Sequence, residues 1–171
     1  MLAQAGYHPI LLERGQDVEQ RQKDVEWFWN TGILNTRSNV QFGEGGAGTF
    51  SDGKLNTLVK DPLKRNQKVL EILVEHGADP EILYVNKPHI GTDVLSKVVK
   101  NIREHIIDLG GQVFFESQVT DMTIKGGRIT ALEINGDQPE KRRVLEAETV
   151  VLAVGHSARD TFAMLLKRGV P

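Results

Sequence analysis

The 171-residue sequence contains no cysteine, and this absence excludes several functions at once. A disulfide-stabilised scaffold, a thiolate metal site, a cysteine nucleophile and a CxxC redox pair all require cysteine. If the protein carries out redox chemistry, a bound cofactor must therefore supply it. The 39% of hydrophobic residues is enough for an ordinary folded core.

Long apolar runs and an excess of one charge are also missing. No segment approaches the ~18 consecutive apolar residues that span a bilayer, and no signal peptide is visible. We therefore expect a cytoplasmic protein with no membrane partner. The 21 basic and 23 acidic residues give a formal net charge of -2, which argues against a nucleic-acid-binding module with its strongly basic face.

Hydrophobic periodicity predicts that strands and helices alternate, as in an α/β fold. A short strand is expected at residues 7–13, and Asp17 is suited to cap a helix that continues to about Asn30. The later predicted elements are a helix opened by Asp61-Pro62, a helix capped by Thr92 or Asp93, a strand at 112–115, a three-stranded meander at about 119–147, a buried parallel strand at 149–154 and a helix at 158–167.

The first functional signal is the acid that ends the first strand, in the sequence ILLERG. In a dinucleotide-binding βαβ unit, an acid at this position accepts hydrogen bonds from the ribose hydroxyls, and Glu13 fits that role. The glycine fingerprint of such a unit lies roughly 20 residues earlier, whereas only twelve residues precede Glu13. Either Glu13 is an ordinary strand-end acid, or the first strand and the phosphate loop are missing from this chain.

The second signal is a glycine-rich segment, which reads GEGGAGTFSDGKL at residues 43–55. Glycines let backbone N–H groups approach a phosphate or a ring closely, because no Cβ intrudes. The segment lacks the Lys-Ser/Thr ending of a P-loop. Phe42 and Phe50 favour ligand contact over a flexible solvent loop, because linkers rarely carry aromatic residues.

The third signal is the predicted strand at 149–154, which leads through Gly155 and His156 into the last helix. This arrangement places a helix N-terminus at the carboxyl edge of a sheet, where ligands of open α/β sheets bind. Ser157 could instead be only the helix cap, with Asp160 completing a capping box.

Together these segments resemble the glutathione-reductase-like flavoproteins with two dinucleotide-binding domains. Within that class, the chain is most similar to a family of uncharacterised bacterial FAD-dependent dehydrogenases. That family carries GEGGAGTFSDGKL-, HIGTD- and GHSARDTF-type motifs, which here occupy residues 43–55, 89–93 and 155–162.

The resemblance implies a partial FAD-binding Rossmann-like domain that lacks its first strand and GxGxxG. This domain would comprise residues 1–60 and 89–171, and the helical insertion at 61–88 would belong to the substrate domain. Because family members extend beyond both ends of the matching region, the chain is expected to be an internal fragment. A sheet without its first strand also predicts poor solubility or self-association.

The resemblance assigns cofactor contacts position by position. Glu13 would bind the FAD ribose, and the backbone of Val119 would pair with the adenine ring. The other residues expected along the cofactor are Gly45, Gly46, Ser51, Asp52, Gly53, Ala153, Gly155 and His156. The implied reaction is hydride transfer through the flavin on a small-molecule substrate, with NAD(P)H as a candidate electron donor.

Two other functions stay open at this point. An NAD(P)-only dehydrogenase would use the same ribose-binding acid, although the meander and the glycine-rich segment argue against it. A non-catalytic nucleotide- or partner-binding module would use Trp27, Trp29 and the glycine-rich segment as its surface. No residues have the spacing of a catalytic dyad or a metal site, so the sequence assigns no catalytic residue and no metal ligand.

Overall fold

The computed structural model describes residues 1–51, 53–55 and 60–170. Within these ranges the chain forms a mixed α/β structure with one parallel and one antiparallel sheet. The helices are α1 (Val18–Thr31), α2 (Arg65–Glu75), α3 (Thr92–Asp108) and α4 (Arg159–Lys167), and the strands are β1 (Ile10–Leu12), β2 (Gln112–Phe114), β3 (Val119–Lys125), β4 (Arg128–Ile134) and β5 (Arg143–Glu146).

The parallel sheet consists of β1 and β2, with Leu11 opposite Val113. The pairing continues past the end of β1, because the N–H of Glu13 donates to the carbonyl of Phe114 at 2.9 Å. Helix α3 contacts both β2 and α1. The prediction of an α/β fold is therefore confirmed at this level, and a Rossmann-like domain stays a prediction.

The first long helix is fixed at its start by a side chain. The Asp17 carboxylate accepts hydrogen bonds from the N–H groups of Glu19 and Gln20, which satisfies donors that have no partner inside a helix. The predicted cap and the helix that follows it are both confirmed. Val18 and Val25 are buried on its inner face.

The antiparallel sheet is the predicted meander, in the order β3-β4-β5. Gly126 and Gly127 form the turn between β3 and β4, and both have a left-handed backbone, which a tight two-residue hairpin requires. Met122 and Leu132 of this sheet pack with Met164 of α4. A separate cluster joins α2 and α3 around Ala78, Ile82 and Val98.

The predicted strand at 149–154 is wrong. These residues have no regular structure, and Val151 is 78% exposed. A parallel strand obtains its hydrogen bonds from a neighbouring strand, and the described residues place no such strand beside this segment. The segment therefore has the amino-acid composition of a buried strand, but no neighbouring strand is present among the described residues for it to pair with.

Three of the predicted helix starts are also wrong. Helix α2 begins after Lys64 rather than at Asp61-Pro62. Helix α3 begins after Gly91, so Thr92 is already its first residue and not its cap. Helix α4 begins after Ala158 rather than after Ser157. The Asp160 carboxylate does bind an N–H of its own first turn, that of Thr161 at 2.9 Å, but its oxygens also bind side chains from other elements. Asp160, which the sequence assigns to a local capping box, is therefore used mainly in contacts with distant segments of the chain.

Across the described residues, no helix has the length and apolar character needed to cross a membrane.

Candidate functional site

Glu13 lies directly after β1, at the carboxyl end of the parallel sheet. Its Oε1 atom accepts hydrogen bonds from the N–H of Gly15 at 2.8 Å and from the N–H of Gly43 at 3.0 Å. Oε2 accepts no hydrogen bond from the part of the chain that the structure describes. One oxygen therefore holds the local backbone, and the other is available to a ligand.

The glycine-rich segment packs against the chain that follows β1. A Cβ on Gly15 would lie only 2.6 Å from the Cα of Gly43, so the two backbones approach each other more closely than side chains would allow. The structure thus brings together the first two sequence signals, the strand-end acid and the glycine-rich segment. Gly45 then caps a short 3-10 helix, Gly46–Phe50.

Arg21 is a buried cation in contact with the glycine-rich segment. It lies on α1 at 0% exposure. Burial lowers the pKa of Arg21 to about 10, although the nearby carboxylates of Glu13 and Glu44 oppose this shift. The side chain is therefore still charged at neutral pH. The guanidinium also stacks on the aromatic ring of Phe50, whose centroid is 4.7 Å from the guanidinium carbon.

Arg14 connects three segments that are distant in sequence. Its guanidinium lies 4.2 Å from the centroid of the Phe42 ring and donates to both carboxylate oxygens of Asp160. Gln118, just ahead of β3, also donates to Asp160, at 2.7 Å. The ILLERG segment, the residue directly before the glycine-rich segment and the start of α4 therefore meet at one side chain.

Glu44 provides a second ionic link, between the glycine-rich segment and α3. Its Oε2 accepts from the Val18 N–H at 2.8 Å and from Arg103 at 2.9 Å. Burial raises the pKa of Glu44, and both of these contacts oppose that rise. Arg103 and Lys100 also bind Glu19 on α1, and the hydrogen bond from Lys100 is the main cause that lowers the pKa of Glu19.

The last residues of the glycine-rich segment contact the chain just before α3. The carbonyl of Gly53 accepts the N–H of Ile90 at 2.9 Å, and Lys54 forms an isolated antiparallel bridge with His89. This part of the segment therefore packs against the HIGTD sequence, just ahead of α3. Ser51 is exposed and donates to the carbonyl of Gly48 at 3.3 Å, whereas Asp52 lies outside the described residues.

The remaining predicted cofactor residues lie near the start of α4 or at the edge of the meander. Val119 begins β3 and pairs with Ile134. Ala153, Gly155 and His156 are exposed on the irregular segment before α4. The His156 side chain makes no hydrogen bond or ion pair with any described residue, so the structure assigns it no role.

Two cavities in the described part of the chain bear on the site, and the larger of these two is remote from the predicted cofactor residues. A polar cavity of about 590 Å³ lies between α2 and α3 and is lined by His76, Asn101 and His105 among others. A cavity of about 310 Å³ lies at the carboxyl end of β2, where Phe115, Ser117 and Arg143 line it. The second shares the sheet edge with Glu13, and we regard it as the more relevant. The described residues contain no group of three or more His, Cys, Asp or Glu side chains that could hold a metal ion.

Sequence reasoning missed Arg14 and Arg21, and only one of them left a clear signal. Arg21 is three residues after Val18 and four before Val25, so helical periodicity places it on the buried face. A charged residue at such a position needs partners inside the fold. Arg14 has no comparable signal, because its partner Asp160 is 146 positions away.

Comparison with known proteins shows a relative but gives no information about its function. No protein-family model matches the chain. A Clostridium beijerinckii protein described only as an uncharacterized protein is 51% identical over 169 residues, which is 99% of this chain. The chain spans 30% of the length of that relative.

Proposed function

We propose that this chain belongs to the FAD-binding region of an FAD-dependent oxidoreductase of the dehydrogenase type. The observation that carries the proposal is the convergence of three sequence motifs around Glu13 and Arg14. The N–H of Gly43 donates to Glu13, and Arg14 binds Asp160. Each motif taken alone has an ordinary structural explanation. Their convergence at the carboxyl end of parallel strands is what an α/β ligand site requires.

The chemistry of Glu13 fits the ribose of a dinucleotide. A ribose presents hydroxyl donors, and Oε2 of Glu13 is a charged acceptor without a partner among the described residues. Two backbone N–H groups hold the Glu13 carboxylate in place, so little side-chain conformational entropy is lost when a ligand binds to it.

The glycine-rich segment fits the approach of a flat or anionic group. A Cβ at Gly46 would meet no atom within 4 Å, so the backbone is open on that side. The neighbouring Gly45 is exposed. The N–H of Gly46 already donates to the carbonyl of Gly43 at 3.1 Å, so this position offers a ligand an unobstructed backbone surface rather than a free donor.

In this proposal FAD supplies the hydride-transfer chemistry when it is bound, and the protein supplies binding and orientation. Glu13 holds the ribose, and the glycine-rich segment approaches the remainder of the cofactor. The substrate is a small molecule, and NAD(P)H is the proposed electron donor. We assign no acid, base or nucleophile among the described residues.

The direct test is titration of the purified protein with FAD, NAD⁺ and ADP-ribose by calorimetry. All three ligands carry the adenosine ribose, so ADP-ribose tests that subsite alone. We expect FAD to bind more tightly than NAD⁺, because the glycine-rich segment would contact the remainder of the flavin cofactor. Glu13→Gln keeps an acceptor for the two N–H groups but removes the charge, and we expect about a tenfold or greater loss of affinity. Glu140→Gln, at an exposed turn, is the matched control and should bind as the parent does.

Three other results would change the conclusion. Binding of NAD⁺ in preference to FAD would favour the NAD(P)-only dehydrogenase. Failure to bind any of the three ligands would contradict the proposal and favour a non-catalytic partner-binding module. Equal affinities of Glu13→Gln and Glu140→Gln would remove Glu13 from the site.

A genetic observation tests the same proposal without protein. The DNA directly upstream of Met1, translated in the same frame, is expected to encode a strand followed by GxGxxG. The 51% identical relative, of which this chain spans 30%, has ample additional length for such a segment. A closed upstream frame would contradict the proposal.

A further inference from the structure

The guanidinium of Arg21 is bound entirely to the loop formed by residues 39–50. Nε donates to the carbonyl of Asn39 at 2.8 Å, and Nη2 donates to the carbonyl of Val40 at 2.9 Å. Nη1 donates to the carbonyl of Glu44 at 2.6 Å and to the hydroxyl of Thr49 at 2.9 Å. One planar group thus holds both ends and the middle of the loop.

This arrangement is more specific than stability alone demands. An apolar side chain of similar volume would fill the same space without the desolvation of a charge. Lysine would keep the charge, but its three donors share one nitrogen and cannot reproduce the planar fork of four contacts. The acceptors are mostly backbone carbonyls, so the side chain fixes the path of the loop.

The loop in turn holds Glu13. Gly43 lies in the middle of it, and a Cβ there would come within 2.4 Å of Cδ of Arg21, so the backbone rests directly on the arginine stem. The N–H of the same Gly43 donates to Oε1 of Glu13. A continuous chain of contacts therefore runs from Arg21 through Gly43 to the carboxylate.

We infer that Arg21 is a positioning residue: through the loop at 39–50 it sets the orientation of the Glu13 carboxylate and thereby the affinity of the site for the ribose of a dinucleotide. This inference rests on the proposed function for its ligand. The contact from Arg21 to Glu13 through Gly43 does not depend on any ligand, so the two can be tested apart.

The ligand-free test is amide hydrogen exchange in Arg21→Lys. The N–H groups of Gly15 and Gly43 are both bonded to Glu13, and we expect them to exchange about tenfold faster or more in the variant. Val25→Ala is the matched control, because Val25 is buried one turn further along the same helix face. Val25→Ala should lower the melting temperature, but the N–H groups of Gly15 and Gly43 should exchange much more slowly in it than in Arg21→Lys.

The ligand test is a double-mutant cycle between Arg21→Lys and Glu13→Gln with ADP-ribose as the probe. We expect Arg21→Lys alone to weaken binding about tenfold, and to add little in the Glu13→Gln background. A purely structural arginine would weaken binding by the same factor in both backgrounds, and that result would overturn the inference. Unchanged exchange at Gly43 would overturn it as well.

A milder variant covers the case in which Arg21→Lys does not fold. Thr49→Val keeps the shape of the side chain and removes one acceptor of Arg21. We expect faster exchange at Gly43 and weaker ADP-ribose binding in this variant, and parental values of both would count against the inference. If the parent protein binds no ADP-ribose, the proposed function fails, and the exchange experiment alone decides the role of Arg21.

Discussion

A single guanidinium nitrogen of Arg14 lies 2.8 Å and 2.7 Å from the two carboxylate oxygens of Asp160. The two residues belong to opposite ends of the chain, and their contact attaches the start of α4 to the end of β1. Arg14 is the more buried partner, with 13% of its side chain exposed against 48% for Asp160. The pair therefore lies at the boundary between the interior and solvent.

Removal of either partner is expected to loosen the attachment of α4. Asp160→Ala should lower the free energy of unfolding by about 1 kcal/mol, and Arg14→Met by more, because Arg14 also stacks on Phe42. Urea unfolding of both single variants and the double variant gives their coupling energy. Strict additivity would show that the contact contributes nothing.

Acid is expected to destabilise the protein through three carboxylates that join distant segments. Hydrogen bonds from Arg168 and Arg37 are the main causes that lower the pKa values of Asp121 and Asp137. Burial works against the lowering for Asp160, but the bond from Arg14 and the other contacts outweigh it. A carboxylate whose pKa is lower in the folded state stabilises it above the unfolded pKa of about 3.9, and this contribution disappears as the pH falls further.

The measurement is urea unfolding between pH 6 and pH 3 at low and high salt. Stability should fall below about pH 4, and added salt should reduce the fall because all three pairs are partly exposed. A variant with all three acids changed to asparagine should show a flatter profile. A profile as steep as that of the parent would assign acid sensitivity to other groups.

Gly53 is expected to tolerate no side chain. A Cβ there would lie 1.8 Å from the carbonyl oxygen of Ile90, which is backbone and cannot move aside, so Gly53→Ala should cost about 3 kcal/mol or more. Gly46→Ala is the control, because its Cβ meets no atom within 4 Å and only the left-handed backbone costs about 1 kcal/mol. Thermal unfolding compares the two, and equal losses would contradict the close contact.

The exposed apolar segment at residues 149–154 is expected to promote self-association of the protein rather than to stabilise its fold. Val151→Asp should change the free energy of unfolding by less than about 0.5 kcal/mol and should reduce self-association in sedimentation experiments. Val98→Ala, at a site with 0% exposure, should instead cost about 2 kcal/mol. A large loss of stability in Val151→Asp would show that the segment is buried as a strand after all.

Local signals in the sequence predicted most elements, although not every helix cap, whereas the predicted strand that needed a distant partner strand was wrong. The cap at Asp17 and the turn at Gly126 and Gly127 depend only on nearby backbone, and both are confirmed. The strand at 149–154 depends on a neighbouring strand, and its composition could not show that the described residues provide none. Propensity describes what a segment prefers, whereas a sheet requires a partner.

The candidate site divides in the same way. Glu13 and the glycine-rich segment stand out by residue type, and the structure joins them through the hydrogen bond from the N–H of Gly43. The roles of Arg14 and Arg21 depend on contacts with distant segments, which no short pattern encodes. Whether any of these residues binds a cofactor stays a proposal.

The pairing of β1 with β2 has a consequence for the order of folding. His8, just ahead of β1, contacts Gly110, just ahead of β2, across 102 positions of the chain. The entropy of closing so long a loop must be paid before the parallel pair gains any contact, whereas β3 and β4 meet through a two-residue turn. We therefore expect the meander to form first, and the edge that carries Glu13 and Arg14 to become native late in folding.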